Sequence, residues 1–153
     1  MRRLSKQLLH FIPILFISSC RLLNPTDPLD ELDRAYDRWA TRGYDSYSYE
    51  VVRSCYCGLP GVGRVVVVVV HDGLPVAAWT ADTGEPFGPS EAVLFPTIED
   101  LFDIAEDAIR HADRFMIEYN DDLGYPVVLD IDYIENAIDD ELYVGSSRVE
   151  PIG

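Results

Sequence analysis

The chain has few basic residues and a large excess of acidic ones. It carries 12 Lys and Arg residues against 27 Asp and Glu residues, which gives a formal net charge of -15. A surface of this sign repels the phosphates of DNA and RNA, so the composition excludes a nucleic-acid-binding protein. The same charge disfavours electrostatic attachment to anionic lipid head groups. Any membrane association must therefore come from apolar insertion or from a covalent lipid.

The sequence also lacks, near its N-terminus, an apolar run long enough to cross a membrane. The run Leu8–Ile17 holds about ten residues, whereas a spanning helix needs roughly 20. Three basic residues in the first six positions precede this run, and the small residues Ser18 and Ser19 follow it. This order is typical of an export signal.

The segment Ile17–Cys20 resembles the lipobox of bacterial lipoprotein precursors. The resemblance implies cleavage before Cys20, lipidation of its thiol, and a membrane partner held through that lipid. It divides the chain into a signal peptide at 1–19, a tether at 20–28 and a single α+β domain at 29–150. The domain would then be exported to the cell envelope. An ordinary cleaved signal peptide and an uncleaved anchor are the alternatives.

Cysteine is scarce, with three residues in the chain. If Cys20 is lipidated, Cys55 and Cys57 remain as an even pair in an oxidising compartment. Residues i and i+2 of a strand lie about 6.6 Å apart on one face, which is within the reach of a disulfide. We expect a structural clip, because no flanking His or Lys lowers a thiol pKa. Thiol–disulfide exchange is the functional alternative, and soft-metal capture by two thiolates is a third.

The sequence lacks the familiar catalytic and metal-binding patterns. Outside the signal segment only His71 and His111 remain, and they do not have the spacing of zinc ligands. The glycine-rich segment 58–63 precedes a strand and lacks the lysine of a phosphate-binding loop. No serine has the context of a nucleophile elbow. We therefore predict no catalytic residue, no metal centre and no cofactor.

Acidic residues are abundant and form two runs in predicted turns or loops. Hard cations bind where several carboxylates converge, so these runs are a weak candidate for a ligand or cation surface. Asp also suits turns and the solvated face of a sheet, and this interpretation is favoured. The candidate residues are Asp121, Asp122, Asp139, Asp140 and Glu141.

Hydrophobic periodicity predicts an α+β fold. Apolar residues recur at helical spacing over 29–41, and a second helix begins at Thr97, with Asp100 as a capping-box partner. Alternation predicts strands, and Asp72-Gly73 is typical of a two-residue hairpin. We predict two helices packed on one face of an antiparallel meander sheet, in the order α-β-β-β-α-β-β with a further short strand over 142–149.

Three finer expectations concern individual strands and side chains. Val65–Val70 is apolar at every position, which predicts a central strand covered on both faces. Pro75 predicts that the next strand lies at an edge of the sheet. Tyr44 and Tyr125 lie beside turns and are expected to be the exposed tyrosines.

Seven short motifs follow one another along the chain: Tyr47–Glu50, Cys55–Cys57, Asp82–Pro86, Thr97–Phe102, Leu123–Pro126, Asp130–Tyr133 and Asp139–Glu141. In this order they resemble an uncharacterised family of exported bacterial domains, catalogued as domain of unknown function 6174, over about residues 30–145. Members of that family often carry a lipoprotein signal. The resemblance implies an address and a fold, and it carries no activity.

These observations favour a non-enzymatic envelope lipoprotein that binds a protein or a small ligand. An acidic surface or a sheet edge would contact an envelope protein partner or the ligand. The alternative is a thiol–disulfide redox protein that uses Cys55 and Cys57.

Overall fold

A computed structural model describes residues 27–152 of the chain. The predicted signal peptide at 1–19 and the lipidation site Cys20 lie outside the described residues, as does most of the tether at 20–28. Within the described part, no helix has the length and apolarity that a membrane crossing requires.

The described residues form an α+β fold, as the periodicity predicted, with three helices and one antiparallel sheet of six strands. A one-turn helix before the second long helix was not predicted. In chain order the elements are α1 (Pro28–Ala40), β1 (Tyr47–Cys55), β2 (Val65–His71), β3 (Leu74–Thr80), α2 (Pro89–Ala92), α3 (Ile98–His111), β4 (Arg114–Tyr119), β5 (Pro126–Asp132) and β6 (Glu141–Pro151).

Both long helices begin where the sequence signals place them. Asp27 caps α1 by accepting a hydrogen bond from the backbone N–H of Leu29 at 3.0 Å. Thr97 and Asp100 form the predicted capping box of α3, in which each side chain accepts from the other residue's backbone N–H. The start of α3 also forms one side of a cleft.

The predicted single meander is wrong. The strands lie in the order β3-β2-β1-β6-β5-β4, so β3 and β4 are consecutive in the chain but lie at opposite edges of the sheet. Strand β6 pairs with β1 on one side and with β5 on the other. The sheet is therefore two three-stranded meanders joined through β6, because the segment carrying α2 and α3 takes the chain from one edge to the other.

The valine run is buried on one face only, so the expected cover on both faces is wrong. Val66, Val68 and Val70 are fully buried, whereas Val65 is 43% exposed. Strand β2 lies between the edge strand β3 and β1. The alternate valines Val67 and Val69 are only half-buried, and they satisfy the preference of a pleated strand for β-branched residues without full cover. The edge position predicted from Pro75 is confirmed, because β3 ends the sheet.

The two turn tyrosines that were expected to be exposed both pack against the aromatic core. Tyr125 is buried, and its ring packs edge-on against Trp39 at a centroid distance of 6.2 Å. Tyr44 is half-buried and contacts the same indole at 5.7 Å. The expectation of an exposed tyrosine pair was wrong because both turns lie against α1.

Candidate functional site

The two cysteines lie at the C-terminal end of β1. Strand β1 ends at Cys55, and the chain bends so that the Cα atoms of Cys55 and Cys57 lie 5.2 Å apart. This separation is shorter than the 6.6 Å expected for an extended strand, and it places the two sulfur atoms at disulfide-bonding distance. The two cysteines that the sequence singled out are thus close together, because the chain bends after β1.

This cysteine pair lies at the surface. Cys57 is exposed and Cys55 is half-buried. The intervening Tyr56 projects into solvent with 81% of its surface exposed. The cysteine pair therefore lies next to solvent at Cys57.

A cleft of about 260 Å³ lies beside Cys55, between β1 and the segment that leads into α3. Its walls are mainly apolar, and Val93, at its edge, is 59% exposed. Among the side chains that line it are Leu59, Val93, Phe95, Ile104, Leu142 and Val144. We refer to this feature as the β1-end cleft.

Three residues on one face of β1, Tyr47, Tyr49 and Arg53, make hydrogen bonds to the segment that forms one wall of the cleft. The Tyr47 hydroxyl accepts from the backbone N–H of Ile98 at 2.8 Å and donates to Glu99 Oε2 at 2.8 Å. The Tyr49 hydroxyl donates to the carbonyl of Pro96. Because alternate residues of a strand point to one face, these side chains and Arg53 bind successive backbone groups of the segment 94–98. Burial raises the pKa of both tyrosines, so both remain neutral donors.

Arg53 is the basic residue that lines the β1-end cleft, and it is 7% exposed. Its guanidinium donates to the carbonyls of Leu94 at 3.0 Å and Pro60 at 3.1 Å, and it lies 4.9 Å from the centroid of the Phe95 ring. Within residues 27–152 it forms no salt bridge. Burial lowers its pKa from the ordinary value, because the charged form is desolvated. A buried cation therefore faces a mainly apolar cleft without a carboxylate partner.

The carboxylate that lines the same cleft is already engaged. Asp100 accepts a hydrogen bond from the backbone N–H of Thr97 at 2.8 Å, as part of the capping box of α3. The N-terminus of a helix favours negative charge, so this carboxylate compensates the helix start. The Arg53 guanidinium therefore has two backbone carbonyls and the Phe95 ring as its partners, and no carboxylate among the described residues.

Sequence reasoning did not single out Arg53. The available signal was its position in the alternation of β1, since Tyr47, Tyr49, Val51 and Arg53 share one face. A charged residue at a position predicted to be buried needs partners or a function. The pattern was therefore visible, but the Leu94 carbonyl that accepts from the guanidinium lies 41 positions away along the chain.

The predicted acidic residues do not share one site. Asp121 and Asp122 lie in the turn before β5, whereas Asp139, Asp140 and Glu141 lie after it. The seven residues of β5 separate the two runs by about 20 Å. Asp140 closes its own loop, because its Oδ2 accepts from the backbone N–H of Ile134 at 2.6 Å.

The described residues contain no group of three or more His, Cys, Asp or Glu side chains arranged to hold a metal ion. Residues 31–151, well over half of the chain, match a family of unknown function (DUF6174).

The chain belongs to this family. The match begins inside α1 and ends at the last residue of β6, so it contains the whole sheet and both sides of the β1-end cleft. The resemblance seen in the seven motifs is thereby confirmed for the family. No curated protein and no solved structure matches the chain.

Proposed function

We propose that this protein is an exported bacterial envelope lipoprotein, anchored through lipid on Cys20, whose domain is a non-enzymatic binding module. The basic start, the short apolar run and the Ile17–Cys20 segment support the anchor. The acidic composition supports a covalent lipid over electrostatic attachment to the membrane.

We propose that the β1-end cleft is the binding site and that its ligand is a small apolar molecule with an anionic group. One observation carries this proposal: Arg53 is a buried cation without a carboxylate partner in a mainly apolar cleft. A buried charge is costly unless it is paired, and a ligand anion would supply that pairing. The apolar walls would bury the rest of the ligand.

We also infer that α1 and α3 cover the same face of the sheet. Tyr47 supports this arrangement, because its ring packs against Trp39 of α1 at 5.3 Å and its hydroxyl binds Glu99 of α3. The residues of β1 that alternate with Tyr47 then lie on the other face, away from the helices.

An anionic apolar dye tests the binding site in the full chain. We expect anilinonaphthalene sulfonate to bind the wild-type protein with enhanced fluorescence. Val93→Glu should weaken that binding at least about tenfold, because the new carboxylate repels the sulfonate at the cleft edge. Val76→Glu is the matched control, since Val76 is 52% exposed on the distant edge strand β3 and should leave binding unchanged. Equal binding by all three proteins would reject the cleft as the site.

The mass of the protein extracted from its membrane tests the anchor. We expect a chain that begins at Cys20 and carries a diacyl or triacyl addition, and we expect Cys20→Ala to abolish both the addition and the membrane fractionation. An unmodified chain starting after the signal would identify a simply secreted protein, and an uncleaved chain would identify a membrane anchor.

A thiol–disulfide redox protein is the second candidate, and the exposure of Cys57 favours it. A bridge between Cys55 and Cys57 would be open to attack by an external thiolate at the exposed sulfur. The test is alkylation with intact mass after graded reduction. Labelling after mild reduction supports redox activity, whereas labelling only under strong reduction supports the structural clip.

A further inference from the structure

The two edges of the sheet differ in how they are protected. At the β3 edge the chain folds back on itself: the Phe87 N–H donates to the carbonyl of Ala78 at 2.9 Å, and the Thr80 N–H donates to the carbonyl of Glu85 at 3.0 Å. Pro75 interrupts the same edge near its other end. These features leave little of β3 free for another strand.

The β4 edge has no such cover within the described residues. β5 is its only strand neighbour there, and no further backbone hydrogen bond is made to Arg114, Met116 or Glu118. Its side chains are also exposed, since Met116 is 50% and Phe115 36% accessible. An open edge of this kind is a template for pairing with another strand.

The hydrogen-bonding direction of β4 follows from the residue before it. The Asp113 N–H donates to the carbonyl of Tyr133 at 3.3 Å, in register with the ladder between β4 and β5. Backbone groups alternate in direction along an antiparallel strand, so Phe115 and Ile117 also point toward β5. The N–H and C=O groups of Arg114, Met116 and Glu118 therefore point outward.

The outward-pointing residues Arg114, Met116 and Glu118 can pair with the same three residues of a second copy. If two copies of β4 pair antiparallel around Met116, each Arg114 lies opposite Glu118 of the other copy, and Met116 lies opposite itself. This register pairs all three outward residues with outward residues. On the other face, Phe115 meets Ile117 of the second copy. Opposite charges and apolar pairs directly across a ladder both stabilise it.

We propose that the β4 edge is a dimerisation surface, at which a second copy of this chain adds its own β4 to make a continuous twelve-stranded sheet. Arg114 already forms a salt bridge with Asp132 of its own chain, and Glu118 of the second copy would bring a further carboxylate to the same guanidinium. This charge complementarity across the two copies identifies the occupant. Such a two-fold interface uses the same patch on both subunits and therefore closes at two. The proposal is independent of the β1-end cleft and of the lipid anchor.

Sedimentation of the full-length protein in density-matched detergent tests the proposal. We expect a dimer for the wild type at about 0.1 mM. Met116→Lys places two ammonium groups opposite each other at the two-fold axis and should give a monomer. Val76→Lys makes the same kind of change on the protected edge strand β3, where the wild-type residue is 52% exposed, and should remain a dimer.

A charge exchange tests the register. Glu118→Arg brings this side chain opposite Arg114 of the second copy and should weaken the dimer about tenfold. Adding Arg114→Glu restores opposite charges in both pairs across the two-fold axis, and it should recover part of that loss, because it also replaces the Arg114–Asp132 salt bridge by two like charges. Circular dichroism of each variant reports whether the monomer is folded.

Three outcomes would overturn the proposal. They are a folded wild-type monomer at 0.1 mM, an assembly larger than a dimer, and a dimer that Val76→Lys weakens as much as Met116→Lys. Failure of the double charge variant to recover the dimer would reject the register centred on Met116. Protection of the β4 amides only by a different protein would assign the edge to that partner instead.

Discussion

At the residue scale, the structure depends on alternate side chains of β1. Tyr47, Tyr49 and Arg53 each bind a backbone group of the segment that connects α2 to α3. A connecting segment that packs against a sheet face must satisfy the polar backbone atoms that it buries, and these side chains do so. The same contacts set the width of the β1-end cleft.

Replacing Tyr47 with Phe should destabilise the domain by about 1–3 kcal/mol. The change removes the donor to Glu99 and leaves the buried N–H of Ile98 without its acceptor. Chemical denaturation measures the loss, and Tyr56→Phe is the control because that ring is 81% exposed. Equal stability of the two variants would show that water replaces the hydroxyl.

The buried tyrosines predict a loss of stability in alkali. Burial and the hydrogen bond to Asp107 raise the pKa of Tyr133 to about 12, and burial raises the pKa values of Tyr47 and Tyr49 further. A raised folded pKa gives a contribution that is complete below the unfolded pKa of about 10 and is lost as pH rises through the folded value. We expect the free energy of unfolding to fall between pH 10 and 12.

Denaturant titrations at each pH measure that fall, and tyrosinate absorbance reports ionisation in the native state. Tyr133→Phe should reduce the slope of stability against pH, because one titrating group is gone. A stability that stays flat to pH 12 would contradict the prediction.

At the element scale, the turn between β4 and β5 is fitted to α1. Gly124 has a positive φ of +88°, and a Cβ at this position would overlap the carbonyl of Ala35 and lie 2.9 Å from the Cβ of Arg38. The Arg42 guanidinium also donates to the carbonyl of Asp122 at 2.6 Å. The turn and the helix are thus packed backbone to backbone, which explains why Tyr125 is buried.

Gly124→Ala should cost about 3 kcal/mol or more, from backbone strain and from overpacking against α1. Gly73→Ala is the matched control, because Gly73 also has a positive φ of +73° but has nothing within 4 Å of the added Cβ. That variant should lose about 1–2 kcal/mol from the left-handed backbone alone. Thermal or chemical unfolding of both proteins separates packing from strain, and equal losses would contradict the packing argument.

At the scale of the whole molecule, β6 joins the two meanders of the sheet. It is the eleven-residue strand Glu141–Pro151, and it pairs with β1 and with β5. Nearly all the strand pairing between the first and second halves of the chain runs through it. β6 is therefore central in the sheet, although it follows the other five strands in the sequence. The sheet can form in full only when the chain includes this strand.

A chain that ends at Asp140 should not fold, because removing β6 leaves β1 and β5 without their shared neighbour. The loss of a central strand exceeds the 5–15 kcal/mol by which small domains are stable. Circular dichroism and limited proteolysis measure the result. A chain that ends at Pro151 keeps β6 intact and should fold, and a folded product from the shorter chain would contradict this role.

The sequence by itself determined the elements that depend on local chemistry. The capping box at Thr97, the Asp72-Gly73 hairpin, the edge position marked by Pro75 and the α+β class follow from neighbouring residues, because backbone preferences and side-chain periodicity act over a few positions. The cysteine pair also followed from spacing alone.

Only the tertiary structure decided which strands are neighbours and which polar residues are brought together. Pairing of β1 with β6 joins residues about a hundred positions apart, and no local pattern encodes that choice. The β1-end cleft combines Arg53 with the distant segment Val93–Pro96, so its chemistry exists only after the chain has folded. The open β4 edge has the same origin, since an edge is defined by the absence of a neighbouring strand along the described chain.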